Sequence, residues 1–370
     1  MSHEVMLRLG ELFGQTEQYR TPLLFLMSLA IGFCGAWLIA GIPFRKHLLD
    51  HPNDRSSHEV PTPRGGGVGI LGAFAVAGIT LGIPTHFLFA VILVSCISLY
   101  GDFFPLSVRF RLGIQFFSAL IVLVPLVPQL YHYFDFHMFS MSSVVFIIVL
   151  FLILLYVVGT ANFFNFMDGI NGIAGVAGVI AFGLLGVYTL YQLSQDAYHT
   201  ALSLLAICIA LACLGFLPFN IPHAKVFAGD VGSILLGFVF AVLVVALARN
   251  FSDIVCFSGL LLPFYADALT TLYVRFRAEE NLFEPHRRHL YQLLANEFRI
   301  AHWKVAVGYG AAQLVIGAGV LATCTVGIHM ALLVVVISFF LFTVVTYNVR
   351  KRVELLQESA PANRAIRYKK

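Results

Sequence analysis

Between two long apolar stretches the chain reads NFFNFMDGINGIAG, residues 162 to 175. Asn162, Asn165, Asp168 and Asn171 stand three residues apart, and Gly169, Gly172 and Gly175 punctuate the second half. Steps of three advance about 300° around an α-helix, so the spacing predicts a broad face at a helix end that carries three amides and a carboxylate. Such a face either glues helices together inside a membrane, as Asn often does, or meets a polar ligand. A gluing seam needs neither Asp168 nor the glycines. Glycine permits close approach of a ligand or of a neighbouring helix.

Four other stretches carry groups of similar promise. LLDHPNDRSSHEVPTPRGGGVGI crowds Asp50, Asp54, Arg55, Ser56, Ser57, His58 and Arg64 ahead of Gly65, Gly66 and Gly67. A glycine run that opens a helix can turn backbone N–H groups toward an anion; an ordinary polar turn is the plainer alternative. Asp102, in LYGDFFPLSVRFRLG, sits at the edge of an apolar run, where a carboxylate is costly. Arg109 and Arg111 follow it and can serve simply as anchors at the lipid surface. In GDVGS, Asp230 is either a helix cap or a hard oxygen ligand of the kind Mg²⁺ takes. EPHRRHLYQLL sets His286, Arg287, Arg288 and His289 in the longest polar stretch, 275–303, downstream of Asp267. Two histidines with no nearby Cys or HExxH make a poor zinc site, and Arg with His suits phosphate better. Carboxylates that hold Mg²⁺, with cations around them, are what phosphoryl chemistry uses.

The elements that position these groups follow from composition. The 370 residues are 59% hydrophobic and 11% charged, against about 25% charged in an ordinary globular domain. Bilayer is the solvent for such a chain, and the expected fold class is all-α, a polytopic integral membrane protein. A spanning helix needs roughly 20 apolar residues. Eleven spans are expected, near 22–43, 66–83, 86–101, 113–130, 143–160, 173–191, 199–217, 232–249, 254–272, 304–326 and 330–348. Residues 1–350 form a single transmembrane domain and 351–370 a basic tail. No short apolar run with a cleavage site marks a removable signal peptide. The six cysteines form no CxxC pair and read as small buried hydrophobes.

Charge gives the orientation. By parity, the loops 44–65, 102–112, 161–172, 218–231 and 273–303 share one side. With Lys304, Arg350 and the C-terminal tail they hold 20 of the 23 basic residues. Positive residues stay in the cytoplasm, so the N-terminus is expected outside and the C-terminus inside. The basic residues are dispersed over loops rather than gathered in one domain, which argues against nucleic acid as a partner. All five polar motifs fall on the cytoplasmic side, which the charge count alone does not require.

Taken in order, the motifs resemble those of the polyprenyl-phosphate N-acetylhexosamine-1-phosphate transferases, glycosyltransferase family 4. NFFNFMDGINGIAG is similar to that family's Asn-x-x-Asn-x-x-Asp-Gly signature, DHPNDRSSHEVPTPRGGG to its first cytoplasmic loop, and FAGDVGSILLGF to its Gly-Asp-x-Gly-Ser segment. EPHRRHLYQLL resembles its histidine loop, in the form of members that start O-antigen synthesis. The resemblance spans about residues 50 to 294. It implies that undecaprenyl phosphate attacks the β-phosphorus of a UDP-N-acetyl sugar, giving undecaprenyl-diphospho-sugar and UMP. Mg²⁺ is the implied cofactor, with Mn²⁺ as a substitute. Asp230 would be the principal metal ligand and Asp168 would share the metal and nucleotide region, with Asn165 and Asn171 beside it. His286 and His289 would hold the diphosphate, Arg111 would lie near the nucleotide sugar, and His58, Arg64, Arg287 and Arg288 would complete substrate binding. Asp267 takes the family's membrane-embedded acidic position. The resemblance further implies a bacterial inner (plasma) membrane, an active site on the cytoplasmic face and a homodimer.

The chain departs from the family pattern in two places. Paired Asp residues, assigned to nucleophile activation or lipid-phosphate binding, are here Gly101 and Asp102. Either Asp102 suffices or the lipid phosphate arrives already ionised, its second pKa being near 6. Asn171 replaces an Asp, and Tyr291 and Gln292 replace histidines, of the peptidoglycan-pathway members; both point away from a muramoyl-pentapeptide substrate and toward UDP-GlcNAc, UDP-N-acetylfucosamine or UDP-N-acetylquinovosamine. A transporter of a polar or anionic solute, or a catalytically impaired polyprenyl-phosphate-binding relative, are the alternatives. A transporter would set its polar groups near the bilayer midplane, often between repeated halves, and no repeat is visible.

Overall fold

The computed structural model of the chain describes residues 14–41, 49–52, 57, 60–133, 143–192, 196–282 and 286–358. It is an all-α membrane protein with ten helical stretches long and apolar enough to cross a bilayer among those residues. In chain order come α1 (Gly14–Gly41), a hairpin of β1 (Leu49–Asp50) and β2 (Thr62–Pro63), α2 (Val68–Thr80), α3 (Thr85–Phe103), α4 (Val108–Leu123), α5 (Val127–Tyr133), α6 (Ser143–Met167) and α7 (Ile173–Gln192). Then follow α8 (Ala197–Phe216), α9 (Gly229–Leu247), α10 (Phe251–Ser258), α11 (Leu262–Arg277), the single turn α12 (Leu290–Gln292), α13 (His302–Cys324) and α14 (Ile328–Glu358).

The expected span over 66–83 is α2, thirteen residues long. At about 1.5 Å per residue it measures roughly 20 Å, short of a hydrocarbon core near 30 Å. α2 and α3 make a hairpin that begins and ends at the N-terminal end of α9. Gly67, just before α2, donates its N–H to the Ala228 carbonyl at 2.9 Å, and Asp102, near the end of α3, accepts from the Asp230 N–H at 2.9 Å.

α9 is the axis of the bundle. Its sequence is apolar on every face, and such a helix belongs in a core; every residue from Val231 to Leu247 is buried. α6 crosses it closely, and the nearest atoms to a Cβ placed on Gly237 would be those of Ala161, Phe164 and Thr160, at 2.7 Å. α14 is the opposite case, with only 6% of its apolar window buried inside the protein and its apolar faces left to lipid. It continues to Glu358, so residues 351–358 of the expected tail prolong the helix.

Two expectations need correction. α6 runs to Met167 rather than stopping near 160, so Asn162 and Asn165 lie within its last turns and Asp168 just past its end. The cysteines are not alike. Cys208 and Cys213 are buried, Cys34 and Cys96 are exposed, and Cys256 of α10 is disulfide-bonded to Cys324 of α13. Both bonded cysteines lie at the helix ends remote from the motif loops, where chain order brings α10 and α13 together.

Candidate active site

The site is built on the N-terminus of α9. A helix start leaves backbone N–H groups without partners, and here another helix supplies the cap. Asp102 accepts from the Asp230 N–H at 2.9 Å through one carboxylate oxygen and from the Val231 N–H at 3.2 Å through the other. Gly229 makes this contact possible. Its φ of +74° is a left-handed conformation that L side chains avoid, and an added Cβ would sit 2.6 Å from Asp102 Oδ2.

Because Asp102 supplies the cap, the Asp230 side chain is released for other work. Its Oδ2 lies 2.6 Å from Arg111 Nη2. Its Oδ1 accepts from Asn165 Nδ2 at 2.8 Å, and the same Asn165 nitrogen reaches Ser233 Oγ at 2.9 Å. The second asparagine of the ladder thus holds the acidic residue of a different loop.

A cavity of about 270 Å³ opens here, lined by Arg64, Asp102, Asn165, Asp168, Asp230 and Gln292 among others. Arg64 reaches it from the hairpin, where it pairs with Asp50 at 2.6 Å. The Phe227 N–H donates to the Pro63 carbonyl at 2.8 Å, which ties that hairpin to the segment leading into α9. Asp168 accepts no hydrogen bond on its carboxylate from any described residue. Burial, then the negative charges of Asp230 and Asp102, push its pKa well up, with Arg64 pulling the other way. An unpartnered carboxylate beside two others is a place where positive charge is missing. No three His, Cys, Asp or Glu side chains form a ready-made metal cage among the described residues. Asp168 and Asp230 can still offer a hard cation two carboxylates, the pattern in which Mg²⁺ takes its other ligands from phosphate and water.

The ladder does not form one face. Asn162 donates to Gln115 Oε1 of α4 at 2.6 Å and to the Val158 carbonyl at 2.8 Å, and Gln115 is only 2% exposed. This rung is the helix-gluing seam. Asn165 and Asp168 belong to the cavity, whereas Asn171, in the turn before α7, does not line it. The helix ends at Met167, so the period of three no longer maps onto a helix beyond that point.

The glycines likewise serve packing. A Cβ on Gly169 would collide with the hydroxyl of Tyr291, which donates to the Phe166 carbonyl at 2.9 Å. The close approach is therefore made by the histidine loop rather than by a ligand. Nor does the glycine run after Arg64 offer a free anion nest. The N–H groups of Gly66 and Gly67 are taken by the Phe227 and Ala228 carbonyls, at 2.8 and 2.9 Å.

The basic run of the histidine loop packs beside the cavity rather than lining it. His286, Arg287, Arg288 and His289 do not line the cavity. His289 is 3% exposed and caps α12, with its Nδ1 3.3 Å from Asp267 Oδ1. Arg288 Nη1 pairs with Glu280 at 2.5 Å, and its carbonyl accepts from Arg350 of α14 at 3.0 Å. Asp267, 0% exposed, also accepts from the Leu290 N–H at 2.8 Å, the Tyr291 N–H at 3.3 Å and the Tyr309 hydroxyl at 2.7 Å. The membrane-embedded acid is the peg on which this loop hangs. His58 lies outside the described residues.

Burial, then the charges of His289, Arg275 and Arg288, lower the His286 pKa from 6.5 to about 3. Between those values the unfolded chain binds a proton that the folded chain refuses, so stability is full above about pH 6.5 and drains as pH falls toward 3. His286→Asn is expected to flatten the acid limb of a plot of unfolding midpoint against pH. An unchanged limb would mean that the imidazole is not held neutral.

Two cavity residues, Asn220 and Gln292, are not among the site residues that the motifs mark. Asn220 accepts from the Gly172 N–H at 2.5 Å and donates to the Val226 carbonyl at 2.8 Å, stitching the Asp168 turn to the Asp230 segment. An amide beside a proline turn, in FNIP, is the sort of residue that makes such local bonds. Gln292 comes from the histidine loop, and its place in the wall depends on how that loop folds back.

Residues 84–248 match the family model described as glycosyl transferase family 4. The phospho-N-acetylmuramoyl-pentapeptide-transferases of Staphylococcus aureus strains JH9 and Newman are each 32% identical to the chain over 133 residues. That match covers 35% of this chain and 38% of either relative.

Proposed function

From the match of residues 84–248 to glycosyl transferase family 4, we propose that the chain is a member of that family and transfers an N-acetylhexosamine 1-phosphate from a UDP-sugar to undecaprenyl phosphate. The observation that carries this reading is the cavity in which Asp102, Asp168 and Asp230 meet Arg64 at one end of the bundle. Carboxylates gathered without enough counter-charge suit a cation-bound diphosphate, and a site at helix ends lets one reactant arrive from the lipid.

In this reading Asp168 and Asp230 would hold Mg²⁺, or Mn²⁺ in its place. When bound, that ion neutralises the diphosphate and polarises its oxygens. Arg111, 2.6 Å from Asp230, supplies a cation beside the same carboxylate. Arg64 offsets charge on the departing nucleotide. An oxygen of the lipid phosphate attacks the β-phosphorus, the bond to the α-phosphate oxygen breaks, and UMP leaves. Asp102 is poorly placed as a base, because both its oxygens accept backbone N–H groups of α9. None is needed, since a phosphate monoester with a second pKa near 6 is largely ionised at neutral pH. This accounts for a chain with Gly101 where the family has a second Asp.

Orientation finds separate support. Cys256 and Cys324 are disulfide-bonded at the end of the bundle away from the cavity, and disulfides persist in oxidising compartments. A cytoplasmic cavity agrees with that and with the basic-residue count. The muramoyl-pentapeptide named for the relatives is not the substrate we favour. Gln292 lines the cavity where a histidine is expected of that branch, which supports a simple UDP-N-acetylhexosamine and a role in starting O-antigen or a related surface polysaccharide.

The test is release of UMP. Purified protein in lipid, with Mg²⁺ and undecaprenyl phosphate, is expected to liberate UMP with at least one of UDP-GlcNAc, UDP-N-acetylfucosamine and UDP-N-acetylquinovosamine. Folded protein that releases none with any of the three would overturn the reading. Uptake of a UDP-sugar into vesicles without cleavage would favour the transporter instead.

A further inference from the structure

Gln292 is 8% exposed, yet it contributes to the cavity wall. Its amide is orientated by a local motif. The His289 N–H donates to Gln292 Oε1 at 3.3 Å, and the reciprocal bond from the α12 backbone to the His289 ring completes a capping box. A backbone N–H can bond only to the oxygen of the amide, so the flip of this side chain is fixed by its partner. The Nε2 group is left over. It makes no hydrogen bond to any described residue and is not among their fully buried unpartnered atoms, which leaves it available on the side of Gln292 that lines the cavity.

A side chain more than nine-tenths buried does not leave a donor pointing into a cavity without cost. Of the other eight polar side chains of this wall, four are carboxylates, which do not donate when ionised, and the NH₂ groups of Asn165 and Asn220 already donate to Asp230, Ser233 and the Val226 carbonyl. Arg64 can, but it carries charge and holds Asp50. The NH₂ of Gln292 is an uncharged donor in the wall, set by a motif that would keep its geometry through a catalytic cycle.

We infer that Gln292 is a substrate-binding residue whose Nε2 donates to an uncharged oxygen, a hydroxyl or a carbonyl, of the nucleotide sugar. This rests on the proposed function, because it takes the cavity to be where that ligand sits. A neutral acceptor fits better than a phosphate oxygen, since the phosphates have cations and a metal site to satisfy them. The acceptor belongs to either the sugar or the nucleotide, and product binding tells these apart.

Two substitutions separate the donor from the cap. Gln292→Glu keeps an oxygen for the His289 N–H but removes the donor and adds a charge. Gln292→Met removes donor and cap without adding charge. Turnover of a UDP-N-acetylhexosamine accepted by the wild type, inhibition by UMP, and unfolding midpoint are measured for each. Both variants are expected to raise KM for the UDP-sugar about tenfold or more, the scale of one lost hydrogen bond to a ligand. Only the Met variant is expected to lower the unfolding midpoint. If UMP inhibition is unchanged in the Met variant, the acceptor is on the sugar; if it weakens in step with KM, the acceptor is on the nucleotide. An unchanged KM in either variant overturns the inference. A wild-type protein that neither binds nor cleaves any UDP-sugar brings down the proposed function, and this inference with it.

Discussion

Asp230→Asn is expected to lower UMP release by roughly 10³-fold, the scale of removing a main electrostatic element from a reacting phosphate site. The loss should appear in kcat with little change in folding. The α9 cap does not depend on this side chain, because Asp102 holds the backbone N–H of residue 230 and not its carboxylate. An Asn at 230 can still offer an oxygen to Asn165, which now donates to Asp230 Oδ1 at 2.8 Å. What disappears is the charge that pairs with Arg111 and that a divalent cation would use. The comparison with Asp102→Asn sharpens the test. That substitution puts an NH₂ where one of two backbone N–H groups needs an acceptor, so it should lower the unfolding midpoint as well as activity. If Asp230→Asn kept full turnover, or if its loss came only with unfolding, Asp230 would be a packing residue and the metal assignment would fall.

The contrast between these two aspartates shows where the sequence is legible. GDVGS at the start of an apolar run marks a helix N-terminus and leaves two possibilities for Asp230, cap or ligand. The spacing within one segment cannot choose between them. The choice is made by Asp102, 128 residues away in sequence, which takes the capping role. The same limit applies to the ladder at 162–171. Its period was plain, but a period predicts a face only while the helix lasts, and the helix ends at Met167. The all-α membrane class was legible because composition and hydropathy are sums over many residues and tolerate local error. So was the gathering of Asp102, Asp168 and Asp230 in one region, because topology alone puts their loops on one side. The histidine loop was not. His, Arg, Arg and His read as a cationic cluster for phosphate, but a buried carboxylate on a neighbouring helix turns His289 inward. Asp267 and His289 are 22 residues apart, and no local pattern reports their meeting.

Asp267→Ala is expected to destabilise the protein by about 3–5 kcal/mol, the range for breaking a buried charged network by removing one partner. The Leu290 and Tyr291 N–H groups and the Tyr309 and Thr271 hydroxyls all donate to this carboxylate, and the His289 ring lies against it. Removing the carboxylate leaves these donors buried without an acceptor, and each such group costs about 1–3 kcal/mol unless water enters. Asp267→Asn should cost much less, because one oxygen remains for the Leu290 N–H and the Tyr309 hydroxyl can turn to accept from the new NH₂. The order Ala, Asn, wild type in unfolding midpoint is therefore the first outcome to check. Activity should fall further than stability explains. α12 begins at the residues Asp267 holds, Tyr291 is wedged beneath Gly169 next to Asp168, and Gln292 completes the cavity wall. A loosened peg should thus disturb the site even where the bundle stays folded. An Asp267→Ala protein with wild-type turnover at a temperature well below its own midpoint would show that the loop need not be pinned for catalysis. The buried acid would then serve stability alone.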